Sequence, residues 1–274
     1  MPQYYIMEDI PHTVFIIPYR DRAPQAKYFM EYFKYYVSRQ PGMNKGAIYL
    51  FSHQVDKRPF NRGAMKNIGF LKVKELYPDN WEDITLVFHD VDCYPKWGVK
   101  LPYTTTPGKV AHYYGFKYTL GGIVVIKGSD FEKTGGFPNY WGWGYEDNLF
   151  AQRVNNEGLE IDRSIFFDVN DLSSFTRLDK HDEEKLVSRK DADTYMRGES
   201  DTFNDITDLR SVVNLGKNVI NTTYFEANLQ APRFEDLTIY DLRSRERSLI
   251  KYLNQRGAYR SGRTWGMVNT TTSK

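Results

Sequence analysis

The sequence predicts an α/β protein with helices on both faces of a central sheet, folded as a single domain. Three short apolar segments, rich in β-branched or aromatic residues, predict buried strands. They are Thr13 to Tyr19, Ala47 to Phe51 and Ile84 to Phe88. Helical patterns separate them, and the resulting β-α-β-α-β order favours helices packed on both sides of one sheet.

Two helices are predicted between these strands. The apolar residues of the first recur at helical spacing and are Ala26, Phe29, Met30, Phe33 and Val37. Pro41-Gly42 is expected to end this helix. The second opens at Asn61-Arg62-Gly63, and its apolar face includes Ala64, Ile68 and Leu71.

The second half of the chain has fewer regular patterns. Gly122 to Ile126 predicts another strand, and Asn148 to Val154 predicts a helix that begins directly after Glu146 and Asp147. The weaker strand candidates are Ile220 to Tyr224 and Thr238 to Tyr240. No linker marks a second domain, so residues 1–242 are predicted to form one domain. The basic residues that follow predict that residues 243–274 are a C-terminal extension.

Composition narrows the class of protein. The net charge of +2 over 274 residues is too close to neutral to predict a nucleic-acid partner. Residues 243–263 contain seven basic residues and one acid, so a nucleic-acid or anionic-surface binder stays an alternative, although a solvated tail helix is favoured over it. Cys93 is the single cysteine, which excludes an intrachain disulfide and favours a reducing compartment.

The sequence shows the pattern of neither a membrane span nor a secretion signal. No apolar run approaches the roughly 20 residues that a membrane span needs. The N-terminus, Met1 to Glu8, has neither the basic nor the apolar segment of a signal peptide. We therefore expect a soluble, cytoplasmic protein without a transmembrane segment.

The third predicted strand ends in two carboxylates, Asp90 and Asp92. Ligands of α/β sheets bind beyond the carboxyl ends of strands, and a turn there lets both acids converge on one site. Their hard oxygen atoms suit Mg²⁺ or Mn²⁺, which could bridge a substrate diphosphate. A capped turn at a strand end is the competing interpretation of this short motif.

A second motif, Trp141-Gly142-Trp143-Gly144-Tyr145-Glu146-Asp147, combines aromatic rings, glycines and adjacent acids. The glycines let the backbone approach a ligand, and tryptophan faces stack on sugar rings. Glu146 and Asp147 precede a predicted helix, whose N-terminus favours ionised carboxylates. An ionised carboxylate there could accept a proton from an attacking hydroxyl, whereas a buried aromatic plug with a helix cap would explain the tryptophans alone.

These motifs resemble those of the β-1,4-galactosyltransferase family. The segment from Phe137 to Asp147 is similar to the family's signature. Three other segments occur in the same order as in the family. Ile17 to Arg22 is similar to its donor-binding motif, and Phe60 to Gly63 with Asn67 to Phe70 is similar to its Phe-Asn-Arg motif. Phe88 to Asp92 is similar to its Asp-Val-Asp motif. The resemblance implies a GT-A fold, a Rossmann-like mixed sheet flanked by helices, and inverting transfer from a UDP-sugar donor to a glycan acceptor.

The resemblance also implies residue roles. Asp147 would be the catalytic base. Acceptor-binding positions would be Glu146, Trp143 and Tyr145. Donor-binding positions would be Pro18, Arg20, Arg22, Phe60, Arg62, Asp90, Val91, Gly121, Gly122 and Trp143. Asp92 and His181 would bind the metal, Mn²⁺ with Mg²⁺ as the alternative, and Asp179 could belong to the same set.

The sequence departs from the family's pattern at two positions. Asn148 follows Asp147, where the family continues with acids. Thr119 precedes the Gly121-Gly122 pair at the position where the family often carries a donor-restricting tyrosine. The donor sugar therefore stays open among galactose, N-acetylgalactosamine, glucose and xylose. A transferase fold that only binds carbohydrate or nucleotide-sugar is the alternative function.

Overall fold

The computed structural model describes residues 10–40, 46–178, 185–199 and 201–240. Its strands are β1 Thr13–Tyr19, β2 Ala47–Gln54, β3 Thr85–His89, β4 Cys93–Pro95, β5 Lys109–Gly115, β6 Ile123–Lys127, β7 Glu160–Asp162, β8 Phe167–Asp168, β9 Phe175–Arg177, β10 Lys185–Ser188, β11 Thr207–Asn214, β12 Val219–Glu226 and β13 Leu237–Tyr240. Its α-helices are α1 Ala23–Tyr28, α2 Lys34–Val37, α3 Arg62–Leu76, α4 Gly128–Thr134, α5 Glu146–Asn156 and α6 Arg189–Met196.

Within the described residues, the central sheet has nine strands in the order β11-β12-β2-β1-β3-β6-β5-β7, with β8 also paired to β5. β1 runs parallel to both β2 and β3, while β6 is antiparallel to β3 and to β5. The predicted mixed sheet is therefore confirmed. Its three central parallel strands are almost continuously apolar because both of their faces are covered.

Alternating residues of β1 separate two cores. Val14 and Ile16 face the side covered by α3, α4 and α5, whereas Phe15 and Ile17 face the side covered by α1 and α2. The two cores are rich in aromatic side chains, including Phe131 on one side and Phe29 on the other. Helices on both faces of one sheet are as the sequence predicts, and the family-implied GT-A architecture is observed.

Some predicted elements differ in their bounds. The first helix is interrupted by a π-helical turn, Phe29–Phe33, and ends at Val37. The Pro41-Gly42 expected to end it lies outside the described residues. Strand β6 starts at Ile123 because Gly122 adopts a φ of +74° in a turn. Helix α5 already begins at Glu146, so the two acids lie inside its first turn and not before it.

Several elements were missed by the sequence analysis, including α4, α6 and β11. Strand β11 alternates exposed and half-buried residues at the sheet edge, so it carries no apolar run. Among the described residues, no helix has the length and apolar character needed to cross a bilayer. The proposed C-terminal extension, residues 243–274, lies outside the described residues, so the domain boundary stays a prediction.

Candidate active site

The site lies where the carboxyl end of β3 meets the first turns of α3 and α5. Asn61 caps α3, its side chain accepting a hydrogen bond from the Ala64 N–H at 2.8 Å. This cap fixes Arg62 as the first residue of the helix. Asp90 follows β3, and its N–H donates to the Gly122 carbonyl at 3.0 Å. Three segments that are distant in sequence thus converge.

Arg62 holds three carboxylates together. Its Nη1 lies 2.7 Å from each oxygen of Asp90, and its Nε lies 2.7 Å from Oε1 of Glu146. Its Nη2 donates to Oδ2 of Asp147. The planar guanidinium is suited to such multiple charge-assisted bonds. The residues implied as base, acceptor contact and donor contact therefore meet at one cation.

The charges of this cluster stabilise one another. Burial opposes the charge of Arg62, but Asp147, Asp90 and Glu146 outweigh it and raise the pKa of Arg62 well above its ordinary value. Burial alone would likewise raise the pKa of Asp147, yet the positive charges of Arg62 and Lys66 hold it below its ordinary value. Asp147 is therefore an ionised carboxylate at neutral pH.

Lys66 is a site residue that the sequence analysis missed. Its Nζ lies 2.9 Å from Oδ1 of Asp147, and its side chain is only 2% exposed. Lys66 follows Arg62 by four residues on α3, so both side chains project from the same face of the helix. That spacing could have indicated Lys66, but its acidic partner is 81 residues away in sequence.

The turn between β5 and β6 brings Gly121 against Asp147. A Cβ atom placed on Gly121 would overlap Oδ2 of Asp147 and lie 2.6 Å from its Cγ. The Leu120 N–H donates to the Asp147 carbonyl at 3.1 Å, which joins this turn to α5. The glycine is therefore required by close approach. The donor contacts implied for Gly121 and Gly122 stay predictions.

A buried histidine supports the same turn, and no sequence signal distinguished it from the apolar residues of β5. His112 Nε2 lies 3.0 Å from the Gly121 carbonyl oxygen, and its Nδ1 accepts from Nε of Arg163 at 3.0 Å. Burial and the charge of Arg163 lower the pKa of His112 to about 4. The neutral ring therefore donates from Nε2 to the turn while Nδ1 accepts.

The two tryptophans of the second motif have different environments. Trp141 is buried, stacks on Phe225 at 5.3 Å between ring centroids, and donates from Nε1 to the Leu229 carbonyl at 2.7 Å. Trp143 is 42% exposed, and its N–H donates to the Leu186 carbonyl at 2.6 Å. Trp141 thus matches the plug interpretation, and only Trp143 is available to a ligand.

The loop around Trp143 requires unusual backbone conformations. Gly144 has a φ of +109° with open space around it, and Tyr145 has a φ of +71° immediately before α5. The Tyr145 ring is buried and packs against Tyr195 at 4.8 Å between centroids. Tyr145 therefore supports the loop from the protein interior. Because its ring is buried, this structure does not support the acceptor contact implied for it.

The remaining implied donor-binding residues lie near the ends of β1 and β2. The guanidinium of Arg20 donates to the Arg58 carbonyl, and Phe60 accepts at its carbonyl from the Gly142 N–H at 2.8 Å. This bond connects the Phe60 segment to the tryptophan loop. Pro18 is buried within β1, while Arg22 is half-buried before α1. Their proposed donor contacts stay predictions.

The implied metal ligands are only partly described. Asp92 is half-buried in the turn after β3, beside the buried Val91. β4 pairs with β9, and directly after β9 the Leu178 N–H donates to the Asp92 carbonyl at 2.7 Å. The segment that precedes residue 179 therefore lies beside Asp92. His181 and Asp179 lie outside the described residues. In the described part of the chain, no three His, Cys, Asp or Glu side chains form a metal-binding group.

Two family models match consecutive segments of the chain. A family model described as the N-terminal region of glycosyl transferase group 7 matches residues 8–101. A second model, described as the N-terminal domain of galactosyltransferase, matches residues 103–181. The two matches are consecutive and together cover more than half of the chain.

Individual proteins are also similar to it. β-1,4-galactosyltransferase 4 of Homo sapiens is 30% identical over 165 residues, which are 57% of this chain and 46% of that protein. β-1,4-galactosyltransferase 7 of Drosophila melanogaster is 27% identical over 190 residues, which are 64% of this chain and 56% of that protein. The chain thus spans about half the length of these curated relatives.

Two solved structures share the fold. The catalytic domain of Drosophila β1,4-galactosyltransferase 7 in complex with xylobiose superposes with a TM-score of 0.60 at 20% identity, covering 81% of this chain and 96% of that one. A mutant of that enzyme in complex with manganese, UDP-Gal and xylobiose gives a TM-score of 0.57 with the same identity and coverage.

Proposed function

This chain belongs to the β-1,4-galactosyltransferase family, and we propose that it is an inverting glycosyltransferase that moves a sugar from a UDP-sugar to a carbohydrate hydroxyl. The observation that carries the proposal is the position of Asp147. It is an ionised carboxylate at the start of α5, fixed by Arg62 and Lys66, beside a turn where only glycine fits. Such a group suits a general base.

In the proposed reaction, Asp147 takes the proton of the acceptor hydroxyl. The hydroxyl oxygen bonds to the anomeric carbon while the bond from that carbon to the diphosphate breaks, and UDP departs on the opposite face. Glu146 and the exposed face of Trp143 would position the acceptor. Arg62 would orient Asp90, the implied contact to the donor, so positioning contributes alongside the base.

The chemistry of the ligands suits a divalent metal. Asp92 offers a hard carboxylate at a strand end, and the paired strands β4 and β9 lead the chain back toward it just before His181. An oxygen and nitrogen set fits Mn²⁺ better than Mg²⁺. When bound, the metal would neutralise charge on the departing diphosphate. The relative solved with manganese and UDP-Gal supports the same assignment.

A binding module without turnover is the second candidate. One observation favours it, because both carboxylate oxygens of Asp147 are engaged by cations, which lowers the basicity of the group. The donor also stays open among galactose, N-acetylgalactosamine, glucose and xylose, since Thr119 replaces a larger side chain that the resemblance leads one to expect. UDP release with Mn²⁺ across a panel of UDP-sugars and acceptors separates transferase from binder.

The Asp147→Asn variant tests the base directly. The amide keeps the size but cannot accept the proton, so transfer should fall by about 10²–10⁴-fold. UDP binding with Mn²⁺, measured by calorimetry, should persist. Asp208→Asn is the matched control because Asp208 pairs with Arg210 on the exposed edge strand β11. Near wild-type transfer by Asp147→Asn would place the base elsewhere.

The cellular location and the extent of the domain are also proposals. The proposed cytoplasmic location rests on the sequence patterns described above. The proposed boundary at residue 242 rests on the charge of the following segment. Immunofluorescence of the tagged full chain tests the location, and a Golgi pattern would contradict it. A truncation after residue 242 that folds and transfers sugar as the full chain does would support the boundary.

A further inference from the structure

Lys66 is buried within the helix that also carries Arg62. Its side chain is 2% exposed, and its Nζ lies 2.9 Å from Oδ1 of Asp147 and 4.1 Å from the centroid of the Phe137 ring. Most of its neighbours on α3 are buried apolar residues, including Ala64, Met65 and Phe70. An apolar side chain would fill this position at a lower desolvation cost, so the ammonium requires a specific explanation.

The two cations at Asp147 approach it differently. Arg62 is 21% exposed and is shared among three carboxylates, and it contacts Oδ2. Lys66 contacts Oδ1 from the protein interior. Oδ2 also packs against the bare backbone of Gly121, where a Cβ atom would overlap it. The two oxygens are therefore not equivalent, because the buried Lys66 contacts Oδ1 while the partly exposed and shared Arg62 contacts Oδ2.

We propose that Lys66 is a positioning residue for Asp147: it fixes the carboxylate through Oδ1 and leaves Oδ2 as the atom that receives the acceptor proton. This inference rests on the proposed function. In the transfer step, the hydroxyl proton moves to Oδ2 as the new C–O bond forms and UDP leaves with the electrons of the broken bond. Lys66 contacts neither substrate and keeps its own protons throughout.

The electrostatic surroundings of Asp147 agree with this role. Arg62 and Lys66 of α3 contact it directly, and its charge also acts on His112 of β5. The carboxylates of Glu146 on α5 and Asp90 after β3 contact Arg62. Burial raises the pKa of Asp147, and only the two cations lower it. Removing one cation should therefore raise the pKa, so that the carboxylate loses its negative charge at a higher pH.

The variants Lys66→Met and Lys66→Arg test the role, with Lys74→Met as the control. Lys74 lies eight residues later on the same helix and pairs with Glu132 at 2.9 Å, away from the site. Lys66→Met should lower kcat about tenfold or more and move the acid limb of the kcat/KM profile upward by about one pH unit. Lys66→Arg should have a kcat and an acid limb close to those of the wild type, and Lys74→Met should change neither kcat nor the acid limb.

A second measurement does not depend on activity. The titration midpoint of the Asp147 carboxyl, followed by carbon NMR, should be higher in Lys66→Met than in the wild type. In Lys66→Arg it should be close to the wild-type value. An unchanged midpoint and acid limb, with only a lower melting temperature, would overturn the inference and leave Lys66 a packing residue. If Lys66→Met does not fold, Lys66→Arg alone tests the inference. An acid limb of Lys66→Arg far from that of the wild type would overturn it. Transfer retained by Asp147→Asn would instead overturn the proposed function, and the midpoint would still decide whether Lys66 fixes the carboxylate.

Discussion

At the scale of single residues, the site depends on close approach between charged groups and bare backbone. Arg62 can contact Asp90, Glu146 and Asp147 at once because its guanidinium presents several donors in one plane. Asp147 can reach that position because Gly121 has no side chain. The position of the Asp147 carboxylate therefore depends on the absence of a side chain at Gly121 as well as on the charge of Arg62.

Gly121→Ala should displace the carboxylate of Asp147. The added Cβ would lie 2.6 Å from Cγ of Asp147, a contact that forces the side chain or the turn to move. Since a shift of about 1 Å can reduce a rate about 10²-fold, we expect kcat to fall at least tenfold. Gly216→Ala is the control, because its Cβ would meet the nearest atom at an ordinary 3.5 Å. Unchanged kcat in Gly121→Ala would show that Asp147 tolerates the shift.

Thr119→Tyr should narrow the range of donors or shift it toward galactose. Thr119 is buried beside the turn that carries Gly121, and its carbonyl accepts from Nη2 of Arg163 at 3.1 Å. A ring at this position would occupy space near the sugar of the donor. Relative kcat/KM values across the UDP-sugar panel measure the effect, with Tyr118→Phe as a control on the exposed neighbour. An unaltered donor profile would place Thr119 outside the pocket.

At the scale of elements, helix α6 supports the tryptophan loop from below. Ser188 caps α6, and the buried carboxylate of Asp191 accepts a hydrogen bond from the Trp141 N–H. Burial raises the pKa of Asp191 to about 7, although the bonds from Trp141 and Ser188 oppose that shift. The loop that carries the exposed Trp143 is thus anchored through a titratable group outside the catalytic cluster.

This anchor predicts a pH-dependent contribution to stability. The pKa of Asp191 is 3.8 in its ordinary state and about 7 when folded, so between these values the folded protein holds a proton that the unfolded chain has released. The contribution is complete below about pH 4 and is lost as the pH rises through 7, at up to about 1.4 kcal/mol per pH unit. Urea unfolding of Asp191→Asn should show a smaller decline over this range than the wild type.

The control for this experiment is Asp193→Asn, a half-buried position on the same helix. Its unfolding free energy should follow the wild-type dependence on pH. A decline that is equally steep in wild type and Asp191→Asn would show that Asp191 is ionised in the folded state throughout this range.

At the scale of the whole molecule, the mixed sheet determines which loops meet. Parallel strands β1, β2 and β3 direct their carboxyl ends to one edge, where Arg20, Phe60 and Asp90 follow. The antiparallel strands β5 and β6 bring the turn with Gly121 to the same edge. This arrangement explains why ligand-binding positions cluster there.

Activity should require a divalent metal, because the proposed diphosphate site at this edge includes Asp92. We expect excess chelator to abolish transfer and Mn²⁺ to restore it better than Mg²⁺. Asp92→Asn should raise the Mn²⁺ concentration needed for half-maximal activity, whereas Asp83→Asn, at an exposed position before β3, should leave it unchanged. Full turnover in excess chelator would contradict the prediction.

Local patterns in the sequence determined the central fold. The apolar runs of β1, β2 and β3 predicted their positions to within a few residues, because a strand buried on both faces must be apolar almost throughout. The helix predicted to open at Asn61-Arg62-Gly63 begins at Arg62 for a similarly local reason, since the Asn61 side chain caps it. The family resemblance selected Arg62, Asp90, Glu146 and Asp147, and these residues do converge in the structure.

Only the tertiary structure decided how those residues interact. The pairing of Lys66 with Asp147 and the stacking of Trp141 on Phe225 join residues that are far apart in sequence. Whether a tryptophan is a core residue or a ligand contact depends on which distant segment covers it, and periodicity contains no such information. The sequence by itself therefore determined the strands and the chemical groups, while the folded chain decided which charges are buried together and which ring remains exposed.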